Sequence, residues 1–508
     1  MTLRELFGDA ARDAPDVEVA ALAYDNRRVA PGTVFFCVRG FTRDGHDFAA
    51  DAAARGALAL VVDHPLGVGV PEILVDDVRA AMAPAAARLH GDPTATLRTV
   101  GVTGTNGKTT TAFLVRALLE AAGKQTGLLG TVTSIVGGVE HAVARTTPEA
   151  IDLQATFAAM RDGGDSHCAM EVSSHALALG RADAIHWAAA IFTNLTQDHL
   201  DFHPTMEEYF AAKCRLFLEG RPRVAVVNVD DPYGARLAAE IGSTLPELIT
   251  VGIDSPGADL RATQIESAFT GSTFVAGGLE LRSPLPGRFN VMNVLGAVAA
   301  VRALGVDDAT IVAALPQAGR VPGRFEPVDE GQDFAVLVDY AHTPDSLENV
   351  LLAARPLTAG RLICVFGCGG DRDRGKRPQM GAIAARLADH TIVTSDNPRS
   401  EDPAAIVAEI VAGIDDLAAT EAIVDRHAAI ERAVSLAAPG DVVVIAGKGH
   451  EQGQEFERGR KLPFDDVAVA RDALRGLLSR RSGRLVIPAA GDAIDDDVVR
   501  SLRNRQQR

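Results

Sequence analysis

One glycine-rich stretch decides the fold: Gly101-Val102-Thr103-Gly104-Thr105-Asn106-Gly107-Lys108-Thr109-Thr110. The apolar residues 97–102 predict a buried strand, and residues 110–119 have the apolar spacing of a helix. A turn of this kind directs backbone N–H groups and the positive end of the helix at one point, where a phosphate binds. Lys108 supplies charge for nucleotide phosphates, and the Thr109 hydroxyl is a ligand for Mg²⁺. We therefore predict a nucleotide-phosphate loop rather than an ordinary strand–helix turn.

The composition is that of a globular protein with several domains. The chain has 508 residues, which is too long for one hydrophobic core and suggests about three domains. Hydrophobic residues make up 47% and charged residues 23%, and both fractions are ordinary for a folded chain. The net charge of −17 argues against a nucleic-acid partner and against binding to anionic membrane surfaces.

The cysteines and the apolar runs indicate a cytoplasmic protein. The five cysteines are odd in number and scattered along the chain: Cys37, Cys168, Cys214, Cys364 and Cys368. We expect buried thiols in a reducing compartment and no cysteine-based metal site. The N-terminus lacks an apolar signal core, and no run is long enough to cross a membrane, so we expect no membrane insertion.

The order of predicted elements indicates an α/β protein. Residues 1–92 form a small α/β unit, and strands and helices then alternate through residues 93–325 and again through residues 326–478. Such alternation predicts mostly parallel sheets, a central one that carries the phosphate loop and a C-terminal, Rossmann-like one. Residues 479–508 form a charged tail, which we expect to be a surface appendage or a disordered segment and to which we assign no function.

Two polar segments flank a predicted strand of the N-terminal unit. Residues 34–38 and 59–63 predict short buried strands. Residues 39–46 form a polar loop with two glycines after the first of them, and residues 25–28 form a polar cluster ahead of it. Either segment also fits ordinary solvated surface, so neither establishes a site alone.

Polar side chains follow two predicted strands of the central unit. Glu171 and Ser173 come after the strand at 168–170, and a segment that contains His199 follows the strand at 188–192. Ligands of parallel sheets collect at the carboxyl ends of the strands, which is the edge that carries the phosphate loop. We therefore predict a magnesium–nucleotide site at this edge, although a lone polar strand end is often just a helix cap.

Lys213 lies in an apolar stripe of a predicted helix. Over residues 206–218, helical spacing places Phe210, Lys213 and Phe217 on one face. A lysine there must extend to solvent, pair with an anion or lose its charge. Extension to solvent is the simple alternative. A neutral amine could instead react with carbon dioxide, and the carbamate would be a carboxylate-like ligand for a second Mg²⁺.

Polar loops follow the predicted strands of the C-terminal unit. These loops are residues 339–345, 367–374, 395–402 and 447–451. They combine arginines with carboxylates, as a ligand that carries both a carboxylate and an ammonium group requires. We therefore predict a second ligand-binding edge in this unit.

Taken together, these motifs resemble the Mur ligases over residues 20 to 470. The motifs that carry the resemblance are residues 104–109, 171–175, 193–199, the helix of Lys213, residues 287–290 with Asn293, residues 322–326 and residues 339–342. The resemblance implies three domains, for a UDP substrate, for ATP and, in a mobile C-terminal domain, for an amino acid. It implies a monomeric ATP-dependent amide ligase of peptidoglycan synthesis, with ATP as co-substrate and Mg²⁺ as cofactor.

The resemblance also implies roles for single residues. Lys108 would hold the transferring phosphoryl group, Thr109 and Glu171 one Mg²⁺, and His199 and N6-carboxylated Lys213 a second Mg²⁺. The implied ATP-binding residues are Gly104, Thr105, Asn106, Gly107, Lys108, Thr109, Thr110, Asn293, Arg324 and Asp339. The implied residues for UDP-N-acetylmuramoyl-L-Ala-D-Glu are Asn26, Thr146, Thr147, Ser173 and Arg181. Asn26 departs from the family pattern, which has a serine there.

The implied amino-acid site contains a loop typical of family members that add meso-diaminopimelate. This loop is Asp396-Asn397-Pro398-Arg399, and relatives that add lysine usually depart from it. The whole implied set is Arg372, Asp396, Asn397, Arg399, Gly447 and Glu451. The segment Gln452-Gly453-Gln454 lacks a tyrosine that the family pattern leads us to expect. Addition of L-lysine, a folylpolyglutamate-synthetase-like ligase and a P-loop NTPase without ligase activity remain alternatives.

Overall fold

The computed structural model of this protein describes residues 1–143, 145–242 and 244–482. Within these residues, separate sheets of four, eleven and six strands organise the N-terminal, central and C-terminal parts of the chain. The predicted α/β class with three domains is confirmed. The predicted tail at 479–508 lies outside the described residues except for its first four, which continue the last helix to Ser482.

The N-terminal unit is a small parallel sheet with helices packed against it. Its elements are α1 (Leu3–Phe7), β1 (Ala21–Ala23), β2 (Thr33–Phe36), α2 (Ala49–Ala54), β3 (Ala59–Val62), β4 (Glu72–Leu74) and α3 (Val78–Leu89). The strands pair in sequence order, all in parallel. Every residue of β2 and β3 is buried, which explains their continuous apolar sequence. The carboxyl ends of β2 and β3 therefore meet at one edge.

The central unit contains the phosphate loop. Its first elements are β5 (Arg98–Thr103), α4 (Lys108–Ala121), β6 (Thr126–Leu129), β7 (Ser134–Val136), β8 (Val139–His141), α5 (Ala150–Asp162), β9 (His167–Glu171) and α6 (Ser174–Ala178). They are followed by β10 (Trp187–Phe192), α7 (Met206–Leu218), β11 (Val224–Asn228), α8 (Pro232–Ile241) and β12 (Leu248–Gly252). The unit ends with β13 (Leu260–Ala268), β14 (Gly271–Ala276), β15 (Leu279–Ser283), α9 (Arg288–Ala303) and α10 (Asp308–Ala314).

The topology of the central sheet brings the predicted strand ends together. The strand order is β15-β14-β13-β12-β11-β10-β5-β9-β6-β7-β8. The strands β6, β9, β5, β10, β11, β12 and β13 run parallel, and antiparallel strands extend both edges. Since β9 and β10 flank β5, the segments after Glu171 and Phe192 lie on either side of the phosphate loop. Apolar cores cover both faces of the sheet.

The C-terminal unit is a second parallel sheet. Its first elements are β16 (Glu326–Pro327), β17 (Ala335–Asp339), α11 (Pro344–Ala354), β18 (Leu362–Phe366), α12 (Lys376–Leu387), β19 (His390–Val393) and α13 (Pro403–Val411). It continues with β20 (Thr420–Ala422), α14 (Arg426–Leu436), β21 (Val442–Ala446), β22 (Gln454–Glu455), β23 (Lys461–Leu462) and α15 (Asp466–Ser482). The strand order is β16-β17-β21-β18-β19-β20, parallel apart from β16, so the polar loops after β17, β18, β19 and β21 share one edge.

The cysteines and the helices bear on the remaining expectations about this chain. All five cysteines are buried and carry free thiols, as predicted. Among the described residues, no helix combines the length and the apolar character that a membrane crossing requires.

Candidate active site at the junction of the three units

A cleft of about 990 Å³ lies where the three units meet. The N-terminal unit contributes Phe41, whose ring packs edge-on against Phe202 with centroids 5.7 Å apart. The predicted site residues that line the cleft are Thr105, Asn106, Gly107, Lys108, Thr109, Thr110, Thr146, Thr147, Glu171, Ser173, Arg181, His199, Lys213, Asn293, Arg324, Asp339 and Arg372. Most of the predicted ATP-site and muramoyl-site residues therefore share one cavity.

The phosphate loop requires its glycines because other side chains approach it closely. A Cβ on Gly104 would lie 1.8 Å from Thr193 Oγ1, and one on Gly107 would lie 2.3 Å from Asn293 Oδ1. Gly107 also has a φ of 86° and immediately precedes α4. Lys108 begins this helix, and its Nζ donates hydrogen bonds to the carbonyl oxygens of Gly104 (3.0 Å) and Thr105 (2.8 Å). The lysine thus lies over the loop, where a phosphate would meet its charge.

A hydroxyl and a carboxylate adjoin the loop and suit a magnesium ion. Thr109 Oγ1 donates a hydrogen bond of 3.0 Å to Glu171 Oε2. Thr131 donates its backbone N–H to Glu171 Oε1 (2.7 Å) and its hydroxyl to Oε2 (3.2 Å). Oxygen ligands of this type are those that Mg²⁺ prefers, so these residues fit the ion. The sequence predicts no role for Thr131, although its place just after β6, at the same sheet edge, could have indicated one.

Lys213 is buried and does not extend to solvent. Phe210, Lys213 and Phe217 lie on one buried face of α7, and Lys213 is 1% exposed. Its Nζ donates a hydrogen bond of 2.7 Å to Gly104 O and lies 4.5 Å from the centroid of the Tyr209 ring. Burial, together with the charge of Lys108, lowers the pKa of Lys213 well below its usual range. The simple alternative of a lysine that extends to solvent is therefore wrong.

His199 lies beside Asp198 in a crowded aromatic environment. Its ring meets the His175 ring edge-on with centroids 4.8 Å apart, and its Nε2 is 3.4 Å from Asp198 Oδ2. Burial lowers the pKa of His199 to about 3, and the charge of Asp198 only partly opposes this shift. A neutral imidazole is the form of histidine that binds metal ions.

The predicted muramoyl-site residues surround the end of β9. Thr147 Oγ1 donates a hydrogen bond of 3.0 Å to Glu171 O and accepts one of 3.2 Å from the Ser173 N–H. The Thr146 hydroxyl lies 3.0 Å from the Thr131 hydroxyl, and Arg181 forms a 2.7 Å ion pair with Glu149. Four of the five predicted residues are thus brought together.

Asn26 is the predicted substrate residue that the structure does not bring to the cleft. Its Nδ2 donates a hydrogen bond of 2.7 Å to Asp51 in α2, and it is not among the residues that line the cavity. The helical turn at residues 26–28 and α2 both lie in the N-terminal unit, so this contact is internal to that unit.

The predicted amino-acid residues converge on a lysine that the sequence does not single out. Lys448 Nζ donates hydrogen bonds to Asn397 Oδ1 (2.8 Å) and Glu451 Oε2 (3.0 Å), and it lies 3.5 Å from Asp396 Oδ1. Its side chain is completely buried. Asn397 Nδ2 also donates to Glu451 Oε2 at 2.9 Å. A buried cation therefore fixes the three polar residues of this site.

The two predicted arginines lie at the rim of the same site. Arg399 adopts a φ of 49°, and its guanidinium donates to Glu455 Oε2 (3.2 Å) and Gly370 O (2.7 Å). Arg372 is exposed and lines the central cleft. Gly447 donates its N–H to Asp339 O at 3.0 Å. The amino-acid site thus adjoins the strand end that carries Asp339.

Side chains of the central and C-terminal units meet across the cleft. Asn106 Nδ2 donates to Asp345 Oδ2 at 2.7 Å. Arg324 Nη2 donates to Thr109 Oγ1 at 3.1 Å, and its guanidinium stacks on the Tyr340 ring at 4.4 Å. Burial raises the pKa of Asp339 to about 6, while the neighbouring Arg324 opposes the shift. These contacts place a second set of charges opposite the phosphate loop.

The sequence matches known families over each of the three units. Residues 18–90 match the description "Mur ligase family, catalytic domain", residues 102–301 the "Mur ligase middle domain", and residues 323–449 the "Mur ligase, glutamate ligase domain". This chain belongs to the Mur ligase family. The predicted resemblance is therefore confirmed.

Individual Mur ligases are similar to this chain over almost its whole length. The UDP-N-acetylmuramoyl-L-alanyl-D-glutamate–2,6-diaminopimelate ligase of Geobacillus kaustophilus is 49% identical over 90% of this chain and 95% of its own length. The ligase of the same name from Syntrophomonas wolfei is 47% identical over 92% of this chain and 96% of its own length. A solved structure of a ligase of that name covers 94% of this chain and 99% of its own chain, with 34% identity and a TM-score of 0.68.

Proposed function

We propose that this chain is an ATP-dependent ligase that adds meso-2,6-diaminopimelate to UDP-N-acetylmuramoyl-L-Ala-D-Glu in peptidoglycan synthesis. The observation that carries the proposal is the single cleft in which the phosphate loop, the Thr109–Glu171 pair and the buried Lys213 face the C-terminal unit. Relatives that are 47–49% identical over nine-tenths of this chain bear the name of this ligase.

The reaction joins two substrates through an activated carboxylate. The γ-carboxylate of D-Glu attacks the terminal phosphorus of ATP, which gives an acyl phosphate and ADP. The amine of diaminopimelate then attacks the acyl carbon, and phosphate leaves with the bonding electrons while the amine loses a proton. Lys108, at the start of α4, would stabilise the negative charge of the transferring phosphoryl group. This chemistry needs charge and orientation rather than a nucleophilic side chain.

Two sets of residues would hold Mg²⁺. Thr109 and Glu171 would hold one ion, and His199 with carbamylated Lys213 would hold a second. Bound magnesium supplies charge that neutralises the phosphate oxygens. The carbamate forms when the neutral Lys213 amine attacks carbon dioxide and releases one proton. The lowered pKa of Lys213 supports this step because the reactive form of the lysine is the neutral amine.

The substrates would lie on opposite sides of the phosphate loop. Thr146, Thr147, Ser173 and Arg181 would bind the muramoyl dipeptide at the end of β9, and Asn26 would bind its uridine group from the N-terminal unit. ATP would lie against Asn293, Arg324 and Asp339, all of which line the cleft. This arrangement would direct the substrate carboxylate and the terminal phosphate towards each other.

The C-terminal site would select diaminopimelate over lysine. Diaminopimelate carries a second α-carboxylate and ammonium group where lysine carries an amine alone. Arg399 and Arg372 would bind that carboxylate, and Glu451 and the Gly447 carbonyl oxygen would accept the ammonium. Asp396 and Asn397 would shape the site through Lys448, to which both are near. The names of the relatives favour the same amino acid.

Phosphate release from ATP tests the proposal. The assay contains the chain, UDP-N-acetylmuramoyl-L-Ala-D-Glu and ATP, with meso-diaminopimelate in one sample and L-lysine in a matched sample. We expect release that depends on diaminopimelate and little release with lysine. Phosphate release with L-lysine but not with diaminopimelate would support the ligase reaction and contradict the proposed role of Arg399 in selecting diaminopimelate. Phosphate release that needs neither the amino acid nor the UDP substrate would favour a P-loop NTPase. Phosphate release that requires folate and glutamate would favour a folylpolyglutamate synthetase.

A further inference from the structure

A cluster of two histidines and a carboxylate lies in the N-terminal unit. It consists of His46, Asp63 and His64, and one potential ligand atom from each lies within 4.8 Å of the others. His46 ends the polar loop of residues 39–46, and Asp63 and His64 directly follow β3. None of the three residues lines the cleft or has a part in the proposed ligase reaction. The cluster therefore needs an explanation of its own.

The polar loop is closed in a way that holds His46 at the sheet edge. Gly45 donates its N–H to Val38 O at 2.9 Å, and Gly40 donates its N–H to Arg43 O at 2.8 Å. A Cβ on Gly45 would lie 2.5 Å from the Val38 nitrogen, so a larger residue could not make this close approach. Since β2 and β3 are parallel neighbours, the loop after β2 returns His46 to the residues that follow β3.

His46 presents an unpartnered ring nitrogen to the cluster. Its side chain is 6% exposed, and its Nδ1 lies 2.6 Å from Asp44 Oδ1. Its Nε2 is buried and has no hydrogen-bond partner, although it lies 3.3 Å from Asp63 Oδ1. A carboxylate that accepts the Nδ1 proton leaves the lone pair on Nε2, which is how metal-binding histidines are oriented. The buried Nε2 therefore has a free lone pair that can bind a metal ion.

Asp63 and His64 complete a donor set on the open side of His46. Asp63 Oδ1 lies 2.5 Å from His64 Nδ1, and the His46 and His64 rings stack with centroids 4.7 Å apart. Arg39 Nη2 also donates a hydrogen bond of 3.3 Å to Asp63 Oδ1. In a tetrahedral zinc site with bonds of about 2.0–2.1 Å, neighbouring ligand atoms are about 3.3 Å apart. The distance of 3.3 Å between His46 Nε2 and Asp63 Oδ1 matches this spacing.

We propose that His46, Asp63 and His64 form a binding site for a divalent transition metal of the zinc class. Two imidazoles and one carboxylate are donors that favour zinc over Mg²⁺ or Ca²⁺, which prefer oxygen ligands. When the metal binds, His64 gives up its hydrogen bond to Asp63 and its ring proton moves from Nδ1 to Nε2, so that Nδ1 and the Asp63 carboxylate become ligands beside His46 Nε2 and water completes the coordination. Asp44 acts as the carboxylate that orients His46.

The bound metal would fix one wall of the cleft. It joins the end of the 39–46 loop to the end of β3, and Phe41 in the same loop lines the cleft and contacts Phe202. Arg39 also bridges the two segments, with its Nη2 3.2 Å from Asp63 Oδ2. The metal would thus strengthen a connection that an ion pair already makes, without a part in the phosphate chemistry.

Zinc titration of the whole chain tests this site. The chain is first stripped of bound metal and is then titrated by calorimetry in a buffer with excess Mg²⁺, so that oxygen-rich sites are already filled. We expect one Zn²⁺ per wild-type chain, with an affinity that falls at least about tenfold in His64→Gln and in His46→Gln. The matched control is His186→Gln, which removes an exposed histidine that pairs with the single carboxylate of Asp92. Cobalt provides a second readout, since its absorption spectrum reports tetrahedral coordination.

Two results would overturn the site. One is a wild-type chain that binds no zinc, and the other is a His64→Gln variant that binds zinc as tightly as the control does. The half-exposed His64 makes His64→Gln the decisive variant, because its removal leaves the buried His46 and the loop intact. Asp44→Asn should weaken binding less than His64→Gln, because Asp44 orients a ligand without being one. None of these measurements depends on ligase activity, so this site and the proposed function can fail separately.

Discussion

The buried amine of Lys213 donates a hydrogen bond of 2.7 Å to the carbonyl oxygen of Gly104. This contact connects the apolar face of α7 to the phosphate loop, which lies more than one hundred residues earlier in the chain. The partner is a neutral carbonyl, and the nearby Lys108 repels a second positive charge. Burial and this repulsion lower the pKa of Lys213, which favours the neutral amine, the form that can react with carbon dioxide.

Replacing Lys213 should remove turnover but leave the fold intact. We expect Lys213→Ala to lower kcat at least about 100-fold, as for other groups that stabilise a transition state electrostatically. Short carboxylic acids such as acetate should restore part of the rate, because they can occupy the place of the carbamate. Kinetics of phosphate release with and without added acetate would measure both effects.

Lys124→Ala is the matched control for Lys213, because Lys124 lies after the far end of α4. This variant should keep wild-type turnover and show no response to acetate. Turnover of Lys213→Ala close to that of the control would reject the carbamate. If turnover is lost and no carboxylic acid restores it, the lysine is required for turnover, but the result does not support its carbamylation.

Arg399 should affect the amino acid rather than the nucleotide. We expect Arg399→Ala to raise the KM for meso-diaminopimelate at least about tenfold, since a charge-assisted bond to a carboxylate is lost, and to leave the KM for ATP nearly unchanged. The control is Arg386→Ala, which removes a surface ion pair with Glu348. Steady-state kinetics with each substrate varied in turn would separate the two constants. Equal increases in both constants would place Arg399 outside the amino-acid site.

Local sequence patterns could predict most of the fold. The strand, turn and helix around Lys108 follow from residues adjacent in the chain, and parallel topology then places Glu171 and His199 beside it. The position of Lys213 in an apolar stripe is also a local pattern, because Phe210 and Phe217 lie on the same helical face, but this pattern left burial and extension to solvent both open. These predictions needed only periodicity and the rule that ligands collect at strand ends.

Contacts between distant segments could not be predicted in this way. Lys448 lies 51 residues from Asn397, and no spacing in the sequence indicates that its amine enters their site. The contact of Asn26 with Asp51 depends on the path of the chain between two short elements of the N-terminal unit. Such pairs are determined by tertiary packing, which a single sequence does not reveal.

Lys448 should be needed both for stability and for binding of the amino acid. Lys448→Met leaves Asp396 and Glu451 without their buried cation, which we expect to cost roughly 3–5 kcal/mol of unfolding free energy. Release of Asn397 and Glu451 should also raise the KM for diaminopimelate. Urea unfolding and steady-state kinetics would measure the two effects. Lys461→Met, which changes an exposed lysine, is the control; a Lys448→Met variant as stable as this control would contradict the role.

Acid should destabilise the chain through buried histidines, of which His167 is a clear case. Burial lowers the pKa of His167 from its usual value of 6.5 to about 4. Between these two pKa values the unfolded chain binds a proton that the folded chain does not. The contribution of His167 to stability is therefore complete above pH 6.5 and is lost as the pH falls towards 4.

His167→Gln should flatten this acid dependence. For a single histidine of this kind, linkage changes the free energy of unfolding by about 1 kcal/mol per pH unit at about pH 5. Urea unfolding at a series of pH values would compare the slopes of wild type, His167→Gln and a His141→Gln control, since His141 is exposed. We expect the slope to fall in His167→Gln and to stay unchanged in the control. Equal slopes in all three proteins would show that His167 takes up its proton in the folded state as readily as in the unfolded chain.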